Sequence, residues 1–222
     1  MLSIFIKINL WEVLFMKEKN SLIEVMNSRH SIRSYDSTYE IPREKIIEML
    51  QEAATAPSSH NLQSWRFIII DDQEEKKALR KIAWNQEQVE TASATIAIIG
   101  DVHAYEKAKD IASKSISEGL MTEEIGKNYV DAVMKLYPNV PEETLKNLCY
   151  IDGGLIAMQF MLIAKANDFD TVCMGGFDSA AFSKYYNLPK HYVPLVLISV
   201  GKAATAPHGS TRLNIEDLLL NK

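Results

Sequence analysis

Apolar positions along this chain recur first at helical and then at strand spacing. Leu22, Val25 and Met26 have helical spacing, Ser21 stands where an N-cap belongs, and the pattern ends near Arg29. Pro42 opens a second helical stretch over residues 43–55, with Ile46, Ile47, Met49, Leu50 and Ala53 as its apolar stripe. The turn-forming run Ala56-Pro57-Ser58-Ser59-His60-Asn61 ends it. Continuous apolar runs at 67–70, 95–100 and 193–201 predict buried strands, and residues 74–83 predict a short charged helix between the first two. Two longer helical regions follow. Residues 103–136 are charged and weakly amphipathic, which suits a peripheral excursion, and Tyr137-Pro138 ends them. Residues 142–166 carry Leu148, Ile151, Leu155, Ile156, Met158, Phe160, Met161 and Ile163 nearly all round, the pattern of a buried helix. Gly153-Gly154 inside it costs about 1 kcal/mol per glycine relative to alanine, so close approach of another helix in a dimer core, or of a flat ligand, is expected there.

Helices and strands alternate irregularly with few clean βαβ units, which predicts an α+β fold. No repeat or linker divides the chain, so residues 20–222 read as one domain and residues 1–19 as an N-terminal extension outside the core. The first fifteen residues are apolar but lack a basic n-region and a cleavage site, and Glu12 interrupts them well short of the ~20 residues that span a membrane. Met16-Lys17-Glu18-Lys19-Asn20 reads like an ordinary start, so the expectation is an upstream extension, an extra helical turn on the surface.

Composition narrows the classes. With 222 residues, 47% hydrophobic and 24% charged, the chain is long enough for one core. A formal charge of −5 and no dominant Lys/Arg run argue against nucleic acid, and no membrane is expected. Cys149 and Cys173 lie far apart without CxxC spacing, which fits a reducing cytoplasm. His30, His60, His103, His191 and His208 show no HxH or HExxH spacing, so no metal site is expected.

Three segments carry candidate chemistry. In an extended stretch Arg29, Ser31 and Arg33 share a face and offer two guanidinium forks around a hydroxyl, an anion site; in isolation a solvated surface explains them as well. Ser58, Ser59, Asn61 and Gln63 offer donors and acceptors in one loop before Trp65, suited to a heterocycle edge or simply to a polar turn. Gly175-Gly176 after an apolar run lets backbone N–H groups approach a flat ligand, a tight turn being the other explanation. Lys202 and Arg212 add cations after the last strand.

Taken together, Arg-His-Ser-x-Arg, Ala-Pro-Ser-Ser-x-Asn-x-Gln-x-Trp, Trp84-Asn85-Gln86, Gly-Gly-Phe-Asp and Ser-x-Arg-Leu occur in an order that resembles the FMN-dependent nitroreductase family over about residues 21–220. The resemblance is strongest to small bacterial NAD(P)H nitroreductases of quinone-responsive type, with Tyr192-Val193-Pro194 as a further match. It implies a mixed, mainly antiparallel central sheet flanked by helices in an intertwined homodimer. It implies FMN, with NADH or NADPH as reductant and a small electron-poor nitroaromatic or quinone as acceptor. By the same resemblance Arg29, Ser31 and Arg212 hold the FMN phosphate, His30 lines that segment, and Arg33 lies at the pyrimidine end. Asn85 bonds the ring system or ribityl chain, Gly175 and Gly176 face N5 and O4, and Ser58, Ser59, Asn61 and Gln63 arrive from the second subunit. No side chain pairs a nucleophile with a base, so the cofactor carries the chemistry in a ping-pong cycle. Alternatives are a non-catalytic FMN-binding module and a dehalogenase or flavin-fragmenting enzyme of the same fold. The chain departs from the family pattern at Gly175, often Glu, at Ser210, often Lys, and at Ser64, usually Pro.

Overall fold

Eight residues of alternating branched and small side chains, Ala94–Asp101, form a strand buried at every position. Continuous burial is what a strand covered on both faces requires. In the computed structural model, which describes residues 21–220, this strand (β2) lies inside a four-stranded sheet with β1 (Trp65–Ile70), β4 (Tyr192–Gly201) and β3 (Asp170–Met174), in the order β1-β2-β4-β3. The expected extension over residues 1–19 falls outside the described residues. Every neighbouring pair of strands is antiparallel, and the parallel element among the described residues is an isolated bridge between Ser31 and Thr171. The fold is α+β, as the irregular element order predicts.

Alternate residues of β2 feed two cores, as the twofold period of a strand dictates. Ile96 and Ile98 pack with Met49, Ala53, Ile156 and Phe160, whereas Ala97 and Ile99 pack with Leu79, Phe177 and Phe182. The first core is closed by α2 (Arg43–Ala53) and α7 (Glu142–Ala166), and the second by α3 (Gln73–Ile82) and α8 (Ser179–Tyr185). α1 (Leu22–Ser28) starts with a complete capping box, Ser21 with Glu24, and leads into the sheet edge. A short helix α4 (Gln88–Thr91) precedes β2, and α9 (Ile215–Leu218) lies in the exposed C-terminal segment. The expected excursion is divided into a 3-10 turn (Ala104–Lys107), α5 (Ala108–Ser117) and α6 (Glu123–Leu136).

One expectation about α7 needs correction. Its length and apolar composition are those of a membrane span, yet it packs on the sheet and buries Asp152, so it is the central helix of the core. It is not buried all round: Ile151, Leu155 and Met158 are exposed along one side. Within one chain the two glycines of the pair differ. A Cβ at Gly153 would lie 2.4 Å from Leu195 Cδ1, so this glycine lets the helix approach β4, while a Cβ at Gly154 would meet nothing within 4 Å.

Candidate functional site

The 29–33 segment is extended because α1 stops at Ser28 and Arg29 adopts φ −72, ψ 119. It then runs beside β3, with the Ile32 N–H donating to the Thr171 carbonyl at 3.0 Å. Ile32 and Tyr35 turn into the core and leave Ser31, Arg33 and Ser34 outward. Tyr35 anchors the segment by donating its hydroxyl to the Ser199 carbonyl at 3.1 Å, and burial drives its phenol pKa far upward. Beside Ser31, two buried polar atoms, Arg29 Nε and Thr171 Oγ1, have no hydrogen-bond partner among the described residues. Buried polar atoms are almost always bonded, so these two, like Tyr186 Oη elsewhere, are open to a further polar partner. Next to it a hollow of about 110 Å³ is lined by Ser31, Arg33, Ser34, Thr205 and His208. His30, half-buried, belongs to the same segment.

Gly175 and Gly176 follow the last residue of β3. Their neighbours are Trp84 and Asn85, both at positive φ (52° and 58°), a backbone state costing about 1–3 kcal/mol per residue. The loop is fixed by Asn85 N–H to the Arg80 carbonyl at 2.9 Å and by Gln86 Nε2 to the Gly176 carbonyl at 2.7 Å. The Trp84 indole, 66% exposed, lies so close that a Cβ at Gly176 would sit 3.0 Å from its Cζ3. A Cβ at Gly175 would meet nothing within 4 Å, so open space stands above that residue.

The 58–63 loop is strained in the same way, with His60, Asn61 and Gln63 at φ 50°, 54° and 49°. Five of the seven non-glycine residues at positive φ among the described residues therefore fall in these two loops, and such strain concentrates at functional sites. The Ser58 hydroxyl accepts the Gln63 N–H at 3.0 Å and Gln63 Nε2 donates to the Asn61 carbonyl at 3.2 Å, so part of the expected ligand-facing set bonds within the loop. Tyr129 of α6 donates its hydroxyl to the His60 carbonyl at 2.9 Å, and Arg66 donates to the Gln63 carbonyl at 2.9 Å while pairing with Asp101 at 2.6 Å. This loop leads into β1, one edge of the sheet, whereas the 29–33 segment and the glycine pair lie at β3, the other edge.

One chain thus brings together Arg29, His30, Ser31 and Arg33, and separately Asn85 with Gly175 and Gly176. It keeps its own Ser58, Ser59, Asn61 and Gln63 apart from both. Arg212 is exposed, and its guanidinium bonds the adjacent Thr211 carbonyl. No group of three His, Cys, Asp or Glu able to hold a metal is present among the described residues.

The profile of the Nitroreductase family matches residues 26–202. The chain belongs to this family. YdgI of Bacillus subtilis (strain 168), provisionally named an NAD(P)H nitroreductase, is 40% identical over 205 residues, covering 91% of this chain and 98% of its own. The CLA biosynthesis enone reductase of Lactiplantibacillus plantarum is 36% identical over 87% of this chain and 90% of its own. A crystal structure from Exiguobacterium sibiricum, of a protein provisionally described as a nitroreductase and in complex with FMN, is similar at TM-score 0.87 and 41% identity, covering 90% of this chain and 97% of that one.

In this member of an oxidoreductase family, Lys202 is already engaged within its own chain. Its ammonium donates to the Asp168 carbonyl and lies over the rings of Tyr39 and Phe169. Sequence reasoning used Trp84 only as part of a motif and left out two further residues of the candidate site, Thr171 and His208. Trp84 was legible from its place before Asn85; the other two were not, because tertiary packing alone brings them there.

Proposed function

We propose that the protein is an FMN-dependent oxidoreductase that uses NADH or NADPH to reduce small, flat, electron-poor acceptors, nitroaromatics or quinones, at a site shared by two subunits. The observation that carries this reading is the unpartnered pair Arg29 Nε and Thr171 Oγ1 beside Ser31, a polar cradle that fits a phosphate. Bound FMN supplies two-electron chemistry, taking a hydride from the reduced nicotinamide and giving the electrons to the acceptor in ping-pong order.

The protein's part is to bind, orient and tune. Arg29, Ser31 and the Thr171 hydroxyl hold the phosphate, with His30 and His208 lining the approach and Arg212 completing the charge. Arg33 presents its guanidinium at the pyrimidine end, where a cation stabilises negative charge developing on the ring. Asn85 and the backbone of Gly175 and Gly176 meet the ring, and the open space at Gly175 leaves one face accessible. Ser58, Ser59, Asn61 and Gln63 of a second copy close the site. A homodimer is supported by the unpartnered apolar residues Leu22, Ile23, Met26, Ile151, Leu155 and Met158 together with a groove of about 620 Å³ lined by Leu22, Val25, Leu162 and Ile163. The free cysteines Cys149 and Cys173 are compatible with a cytoplasmic setting.

A second reading of the acceptor is an enone, favoured by the 36% identical enone reductase. The test is the absorption spectrum of the purified protein before and after anaerobic NADH or NADPH, followed by reoxidation with a nitroaromatic, a quinone and an enone. A yellow protein bleached by the nicotinamide and reoxidised by one of the first two is expected. Flavin that no nicotinamide bleaches would leave a binding module, and a protein that takes up no FMN overturns the reading.

A further inference from the structure

Asp152 is charged by nature, apolar by neighbourhood and assigned no part in the site above. It stands on α7, only 2% exposed, in the first core beside a cavity of about 20 Å³ that Cys149, Ser64 and Asp101 also line. An ionisable side chain is seldom fully buried unless it is paired. Among the described residues its carboxylate bonds only the 58–64 loop: Oδ1 accepts the Ser59 N–H at 3.1 Å and the Ser59 hydroxyl at 3.3 Å, and Oδ2 accepts the Ser64 hydroxyl at 2.9 Å. These two serines bracket His60, Asn61 and Gln63, the residues held at positive φ. The next residue on α7, Gly153, lies so close to β4 that a Cβ there would come within 2.4 Å of Leu195 Cδ1.

We propose that Asp152 is a positioning residue that presets the 58–63 loop for the flavin, holding the strained conformation before any ligand arrives. The inference rests on the proposed FMN site and deepens it. Side chains held in place by a supporting layer lose less freedom on binding, and hydrogen bonds to a charged group are among the stronger ones. Ser64 takes part as the second anchor, a hydroxyl at the place where proline is usual in this family.

The test compares Asp152→Leu, which keeps the volume without acceptors, and Asp152→Asn, whose carbonyl still accepts from Ser59 and whose NH₂ donates to Ser64. FMN dissociation is measured by equilibrium dialysis of the holoproteins, and hydrogen exchange is followed at Ser59 and Gln63 in the FMN-free proteins. The Leu variant is expected to release FMN with a dissociation constant about tenfold higher and to exchange faster at both amides, whereas the Asn variant stays within about twofold of the parent. Ser64→Ala, which leaves one anchor, falls between them, and it carries the test if Asp152→Leu does not fold. Parent-like affinity and exchange in a folded Asp152→Leu, or in Ser64→Ala where the Leu variant does not fold, overturns the positioning role and leaves the FMN reading standing. Failure of the parent itself to bind FMN overturns both.

Discussion

Arg33 projects from the sheet edge beside a hollow and is exposed. A guanidinium there acts on a ligand's charge without contributing to the core, which separates its role from that of Arg29. Arg33→Ala is therefore expected to fold normally, bind FMN more weakly and lower the flavin's reduction potential; spectroelectrochemistry showing an unchanged potential would count against that placement. Cys149 makes a prediction of the opposite kind, for stability alone. Burial pushes its thiol up to about 11 from the usual 9.0. Between these values the folded chain keeps a proton that the unfolded chain has lost, so this contribution is complete below pH 9 and disappears as pH rises through 11. Denaturant midpoints of the parent should fall across that interval, and Cys149→Ala should flatten this part of the profile.

At the scale of elements, the sequence pattern located α1 and α2 by helical spacing, α3 by its charged run, β1, β2 and β4 as continuous apolar runs and α7 as a long apolar stretch, and α7 runs between the same two residues that the apolar pattern marks. β3 was visible only as an apolar run before two glycines, since an edge strand of five residues is too short to show alternation. The exposure of Ile47, Ile151 and Leu155 escaped prediction too, because periodicity reports which residues are apolar and not what covers them. The candidate site residues stand out as ordered motifs, while their division between two sheet edges depends on strand order, which no local pattern encodes. The glycine pair gives a contrast within one helix. Gly153→Ala forces Leu195 aside and is expected to cost about 1–2 kcal/mol net of the helix-propensity gain. Gly154→Ala, with nothing nearby in its own chain, should gain up to about 1 kcal/mol in the isolated subunit. Chemical denaturation of the two variants measures both; equal effects would show that α7 is not seated by Gly153.

For the whole molecule, the exposed side of α7 is the feature that asks for a second copy. Leu155 is 43% exposed there, and Leu155→Glu places a charge on that surface without disturbing the core that Ile156 and Phe160 fill. Sedimentation should show this variant as a monomer that holds FMN poorly, since each proposed site then lacks one wall. A variant that remains dimeric would move the interface elsewhere.

The placement of the proposed phosphate cradle at β3 and the serine loop at β1 has a genetic consequence as well as a structural one. Two chains, one carrying Arg29→Ala and the other Asn61→Ala, are each defective in both sites of their own homodimer. When they are unfolded, mixed equally and refolded, half the dimers are mixed, and each mixed dimer combines the two lesions in one site and leaves its other site intact. About a quarter of the parental flavin binding and turnover should return. Two damaged proteins would then repair one another, which no enzyme with its whole site in a single chain can do.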